Sequence, residues 1–198
     1  LDAFEKEKPL IDQPLRLPIQ DVYKFTGFGD SRRIIAGTIS SGSMQVGDRL
    51  VSYPSGKQTN LQTFEAFNEP VKIHAHSGMA VGFTMEEQIY LRRGEIISRM
   101  SDPAPAVSTR LRVSLFWLGQ QPMVSKKQYL LKLGTAKERV QIETIHQVID
   151  ASNYTRQNAG SEIHHHDVAE VTLKLAHPIA FDTSEKMPNT SRFVMKSI

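Results

Sequence analysis

Residues 110–117, Arg110-Leu-Arg-Val-Ser-Leu-Phe-Trp117, decide the fold class. Leu111, Val113, Leu115 and Trp117 fall on one side of an extended chain, with Arg110, Arg112 and Ser114 on the other. A period of two is the mark of a strand with one buried face. The same rhythm recurs in both directions. Ala169, Val171, Leu173 and Leu175 alternate with Glu170, Thr172 and Lys174, and Met79, Val81, Phe83 and Met85 share a face opposite Ala80, Gly82 and Thr84. Residues 33–40, 49–53, 61–67, 128–133 and 138–148 are further predicted strands. Between them lie turn-forming runs: Phe25-Thr-Gly-Phe-Gly-Asp30, Pro54-Ser-Gly56, Asn68-Glu-Pro70 and Ser77-Gly78. Helical periodicity is confined to Asp2–Lys8, one or two turns stopped by Pro9. Many short strands at this spacing predict an all-β protein of two small β-barrels in tandem, since closure removes exposed strand edges. Trp117, in phase with Leu111, Val113 and Leu115, is expected to be buried with a partner for its indole N–H.

The joint between the halves is read from Ser101-Asp-Pro-Ala-Pro-Ala106, where proline stiffens the chain and biases its neighbours toward extended geometry. The expected organisation is a residual linker over 1–12, a first barrel over 13–102 and a second over 103–198. Residues 1–102 carry 12 basic and 13 acidic groups, and residues 103–198 carry 12 basic and 8 acidic, within a whole-chain net charge of +3. That small surplus lacks the dense basic stripe of a dedicated nucleic-acid binder. Cysteine is absent, which excludes disulfides, thiolate metal sites and a cysteine nucleophile. No apolar run approaches the ~18 residues of a membrane helix, and Leu1–Lys8 has no signal-peptide core, so a cytoplasmic protein without membrane contact is expected.

The chemistry-bearing patterns are missing. The sequence has neither a P-loop nor a glycine fingerprint opening a helix; Gly27-Phe-Gly29 reads as a hairpin turn. Ser41-Gly-Ser43 has no histidine partner at a readable spacing. His164-His165-His166-Asp167 could, on a strand, offer only His164 and His166 to one metal, and two ligands do not make a zinc site. Catalytic, cofactor-binding and metal-ligating residues are therefore expected to be absent. The paired bases Arg32-Arg33 and Arg92-Arg93, on hairpin flanks, are the candidate partner contacts, and no aromatic interleaves with them to give a stacking platform.

A glycine ladder, Gly37-Thr-Ile-Ser-Ser-Gly42-Ser-Met-Gln-Val-Gly47-Asp48, places Gly42 and Gly47-Asp48 in tight turns where a positive φ or a missing side chain is useful. With Arg33 before it and Arg93-Gly-Glu-Ile-Ile97 after it, the run resembles the second domain of translation-factor-type GTPases, a six-stranded barrel. Gln13-Pro-Leu-Arg-Leu-Pro-Ile-Gln-Asp-Val-Tyr23, Pro54-Ser-Gly-Lys57 and Phe67-Asn-Glu-Pro70 extend the likeness through the first half. Phe116-Trp-Leu-Gly119, Gln121-Pro122, Tyr129-Leu-Leu-Lys-Leu-Gly-Thr135, Ile145-His-Gln-Val-Ile-Asp150, Asp167-Val-Ala-Glu-Val171 and Arg192-Phe-Val194 continue it through the second. The ordered set is similar to the large, GTP-hydrolysing subunit of bacterial sulfate adenylyltransferase, including versions fused to adenylylsulfate kinase. The resemblance implies barrels like domains II and III of elongation factors, with GTP and Mg²⁺ bound by a nucleotide domain outside this chain. It implies three partners: that GTPase domain, a small adenylyltransferase subunit and, in fused versions, an adenylylsulfate kinase domain. Nucleic acid is not an expected partner. The alternatives are the tRNA- or ribosome-facing barrels of an elongation or release factor, and a free-standing binding module. Two departures stand out. His165-His166-Asp167 occupies a place where the family has Asn, and the chain stops at Ile198 where the family continues into a glycine-rich strand. The second departure leaves closure of the second barrel open.

Overall fold

The computed structural model describes residues 9–25, 32–65, 72–150, 156–158 and 162–198. The Asp2–Lys8 helical turns, the centre of the Phe25–Asp30 turn and the Phe67–Pro70 stretch lie outside the described residues. Two compact units emerge. One comprises the chain up to Ala106 together with Gly134–Ala136 and Ala180–Arg192; the other comprises Val107–Leu133, Lys137–Ile179 and Phe193–Ile198.

The first unit contains β1 (Leu17–Lys24), β2 (Arg33–Thr38), β3 (Ser43–Gln45), β4 (Arg49–Tyr53), β5 (Lys57–Glu65), β6 (His74–His76), β7 (Ala80–Met85) and β8 (Ile96–Arg99). Six of them close into a barrel in the order β1-β2-β7-β5-β4-β8, while β3 and β6 form a separate two-stranded ladder. Register shifts between Ile19 and Asp21 in β1 and between Leu61 and Thr63 in β5 bend the strands. Such bulges add the local twist that lets a short sheet curl. The inward phase supplies the core: Leu15, Leu17, Ile19, Ile35, Leu50, Leu61, Phe83 and Ile97 are buried together. Met85 joins them, with Met79 and Val81 packed alongside, as their shared phase predicts.

Arg16 is the anomaly in this core. It is only 2% exposed, and its guanidinium spends all five N–H donors inside the unit. Nε donates to Asp182 Oδ2 at 2.9 Å and Nη2 to Asp182 Oδ1 at 3.0 Å. Nη1 reaches the Leu15 carbonyl at 2.9 Å and Ser98 Oγ at 3.0 Å, and Nη2 also reaches the Pro103 carbonyl at 2.9 Å. Asp182 Oδ2 in turn accepts from Thr190 Oγ1 at 3.1 Å. The pair thereby fastens Ala180–Arg192 to the start of the barrel. Asp102, in the proline-rich joint, accepts the Leu15 N–H at 2.7 Å.

The second unit is built from β9 (Ala106–Phe116), β10 (Met123–Val124), β11 (Gln128–Leu133), β12 (Ala136–Asp150), β13 (Arg156–Asn158), β14 (Glu162–Ile163), β15 (Asp167–Phe181) and β16 (Phe193–Ser197). Its main sheet runs β16-β11-β12-β15-β9, with β13 on β12 and a separate β10–β14 ladder. The all-β expectation is borne out, with a closed ring in the first unit and a sheet bounded by β9 and β16 in the second. Among the described residues the one helical element is the short 3₁₀ turn Pro188–Thr190. Leu111, Leu115, Ala169, Val171, Leu173 and Leu175 are buried, as the period of two requires.

Candidate interaction surface

At one end of the barrel the chain between β7 and β8 folds across the mouth. Leu91 is buried and Ile89 packs on the core, while Tyr90 between them is 61% exposed. Arg33 opens β2 in the phase of buried Ile35, and Lys57 opens β5 in the phase of Thr59 and Leu61. Both inward-phase residues lie at strand ends, where their charged heads meet the Tyr90 ring. The Arg33 guanidinium carbon lies 5.3 Å from the ring centroid and Lys57 Nζ 5.9 Å from it. Lys57 Nζ also donates to the Tyr90 carbonyl. Cation–π attraction operates at these separations.

One ring thus lies against a paired base, although a single ring is not a stacking platform. Tyr90 is 57 positions from Arg33; they meet because β2 and β5, which Arg33 and Lys57 open, both pair with β7, whose end leads into Tyr90. The four candidate arginines have different environments. Arg32 is ion-paired with Glu65 at 3.0 Å. Arg33 rests on Tyr90. Arg93 donates from Nη1 to the Gln20 carbonyl at 2.7 Å, and Arg92 is exposed two residues beyond Tyr90.

The expectation for the histidine triplet is corrected. It occupies a turn after β14, not a strand, and His166 has a φ of 71°. Asp167 closes the turn by accepting the His164 N–H at 2.7 Å. The His166 N–H donates to the Trp117 carbonyl at 2.8 Å, and the Trp117 N–H to the Asp167 carbonyl at 2.9 Å. The His166 ring stacks on Phe116, 6.1 Å away and inclined by 10°. The triplet thus locks the loop after β9. Trp117 itself is buried and donates from Nε1 to the Gln121 carbonyl at 2.9 Å, as its phase predicts. Among the described residues no three His, Asp or Glu side chains are gathered where they could hold a metal ion.

The outer face of the second sheet carries charge pairs. Arg110 Nη2 meets Glu143 Oε1 at 2.6 Å and Arg112 Nε meets Glu170 Oε1 at 2.6 Å. Hydrogen bonds from these guanidinium groups hold both carboxyls below the ordinary glutamate range, and the same bond raises Arg110. Burial pushes the Tyr129 hydroxyl above the usual tyrosine value. The glutamate and arginine shifts are those of structural ion pairs, and the tyrosine shift that of burial. Among the described residues no helix is long and apolar enough to cross a membrane.

Comparison with known proteins shows what the chain is similar to. Residues 110–197 match the family described as GTP-eEF1A C-terminal domain-like. Sulfate adenylyltransferase subunit 1 of Aeromonas hydrophila is 30% identical over 199 residues, which cover 98% of this chain and 40% of that protein. The proteins of the same name from Shewanella oneidensis and Sulfurovum are 28% and 30% identical, each over 98% of this chain. The chain spans about two fifths of the length of these relatives. Two crystal structures of sup35, complexed with GDP and with GMPPNP, share the fold at TM-scores of 0.82 and 0.80 with 16% and 15% identity. They cover 94% and 99% of this chain, which itself covers 45% and 47% of theirs. The resemblance carried by the glycine ladder and the Phe-Trp-Leu-Gly stretch is thus borne out over nearly the whole chain.

Proposed function

We propose that this chain is the non-catalytic barrel portion of a sulfate adenylyltransferase large subunit, carrying a GTPase domain and binding the small adenylyltransferase subunit. The observation that carries the reading is the likeness to subunit 1 along 98% of the chain. In the whole enzyme, adenylylsulfate forms from ATP and sulfate, and GTP hydrolysis drives the step. Positioning a transferring phosphoryl group needs a cradle of backbone N–H groups, a lysine and Mg²⁺. No P-loop is encoded here, so GTP and Mg²⁺ belong to the nucleotide domain. The part played by the chain is mechanical: a closed sheet around an apolar core holds its exposed loops in a fixed geometry. The Arg32, Arg33, Arg92 and Arg93 end faces a protein partner in this reading, and a fused adenylylsulfate kinase domain is a further partner in some architectures.

The test is capture of the small adenylyltransferase subunit by the purified chain, with GTP hydrolysis and adenylylsulfate synthesis measured alongside. Capture without either activity is the expected result. Turnover that survives purification and vanishes on a point substitution in the chain would overturn the non-catalytic assignment. Failure to capture the subunit, together with tight RNA binding at about 0.15 M salt, where phosphate contacts are already weakened, would favour the elongation- or release-factor reading.

A further inference from the structure

We propose that Arg33, Lys57 and Tyr90 form a receptor for a carboxylate-bearing protein segment, the point at which the barrel grips an acidic partner. The inference deepens the partner-binding reading and rests on it only for the partner's identity. Its first support is that, among the described residues, two cations meet one aromatic ring and no carboxylate. Arg16, Arg32, Arg99, Arg110 and Arg112 each have a carboxylate within ion-pair distance. Among the described residues Arg33 and Lys57 have none, although both sit in the half that carries more acidic than basic groups. What they have is the face of one exposed ring.

That arrangement suits anion capture. A guanidinium resting on a ring keeps its in-plane N–H groups available for the forked, bidentate contact that carboxylates favour. The ring also restrains side chains that would otherwise lose rotamer freedom on binding. Tyr90 is itself held by its buried and half-buried neighbours, Leu91 and Ile89, and by the Lys57 bond to its carbonyl. A rigid tyrosine beside an arginine is the composition of an interface hot spot.

The geometry favours protein over nucleic acid. A single strand is gripped by a succession of stacking rings in a broad basic field. Here one ring lies among the cations. Tyr23 pairs in register with Ile34 and so takes the phase opposite Arg33, and exposed Phe25, whose N–H donates to the Arg32 carbonyl at 3.1 Å, shares the phase of Tyr23. Residues 1–102 carry no basic surplus to supply a field.

The 198-residue chain is titrated with hexaglutamate peptide, and separately with hexauridylate, at about 0.01 M ionic strength, where charges are screened least. Amide shifts locate the site and calorimetry gives affinity. Hexaglutamate should shift residues 33, 57 and 90. Arg33→Gln and Tyr90→Ala should each weaken it about tenfold, the loss typical of a hot-spot truncation. Tyr90→Phe keeps the ring and should bind as the parent does. Lys137→Gln removes one charge from an exposed site in the second unit and should leave binding unchanged. Amide spectra of the variants confirm that they fold. Equal losses from Lys137→Gln and Arg33→Gln, or full binding by Tyr90→Ala, would reduce the site to general charge and overturn the proposal. Tighter binding of hexauridylate at the same residues would also overturn it in favour of nucleic acid. Capture of the adenylyltransferase subunit by the parent chain is scored separately, so its failure counts against the whole-chain reading and not against this site.

Discussion

Removing Asp182 should strand a buried charge, and Asp182→Ala is the substitution that tests how the barrel holds the Ala180–Arg192 segment. Arg16 and Asp182 are both almost wholly excluded from solvent, with side-chain exposures of 2% and 5%. Deleting the carboxylate takes two donors' worth of charge-assisted bonding from a guanidinium that has no route to water. Breaking one partner of a buried pair costs about 3–5 kcal/mol. Against a total stability of roughly 5–15 kcal/mol, that is a large fraction. For a chain of this length the loss corresponds to a fall in Tm on the order of 10 °C. Urea unfolding followed by Trp117 fluorescence and by far-UV dichroism measures it. Removing both charges with Arg16→Met and Asp182→Leu should be milder than Asp182→Ala alone. The Leu15 and Pro103 carbonyls each then lose a donor, at about 1 kcal/mol apiece. A single-variant loss below about 1 kcal/mol, the range of exposed pairs, would refute the reasoning. So would a double variant less stable than either single.

Gly119→Ala should eject or tilt the indole, because a Cβ there would lie 2.3 Å from Trp117 Cζ2 and 2.5 Å from Cε2. Overpacking of this kind costs about 1–3 kcal/mol, and the emission of the single tryptophan should shift to the red; unchanged emission would contradict the packing. Gly42→Ala should destabilise more than Gly47→Ala. Both glycines have positive φ, but a Cβ at Gly42 meets the Gln13 carbonyl and the Leu15 backbone at 2.7 Å, whereas one at Gly47 meets nothing within 4 Å. Equal losses in chemical denaturation would make the backbone conformation, not the close approach, the whole effect. By NMR titration, Glu143 and Glu170 should ionise below ordinary glutamate, and Arg110→Ala should return Glu143 alone toward it. Because these folded-state values are depressed, whatever stability the pairs add is present above the unfolded glutamate value and lost as pH falls through the folded one. A stability that rose on acidification through that window would have the wrong sign.

Strand positions were legible because alternation is a local property. Each of Leu111, Val113, Leu115 and Trp117 declares its face through its neighbours, and the observed strands Arg49–Tyr53 and Gln128–Leu133 match the residues read from the sequence. Trp117 burial followed from the same phase. The His164–His166 run was misread because a period-two argument presupposes a strand. Asp167, capping the His164 N–H, turns the chain there instead, and His166 takes a positive φ. The Tyr90 cluster had only a faint local signal, an aromatic between two apolar residues two positions before Arg92. Its partners come from β2 and β5, and no spacing within one segment reveals which cations will share a barrel mouth.

The sequence by itself determined the all-β class, the inward face of the long strands, the turns at Gly42 and Gly47 and the family likeness, since each depends on residue type and short spacing. Tertiary structure alone decided that Arg16 is neutralised by a residue 166 positions away, that Arg32 and Arg33 part company between Glu65 and Tyr90, and that Ala180–Arg192 packs with the first unit. The physical reason is the same in each case. A side chain's charge environment is set by whichever segments pack beside it, and ladders between distant segments form through backbone groups that every residue but proline carries alike.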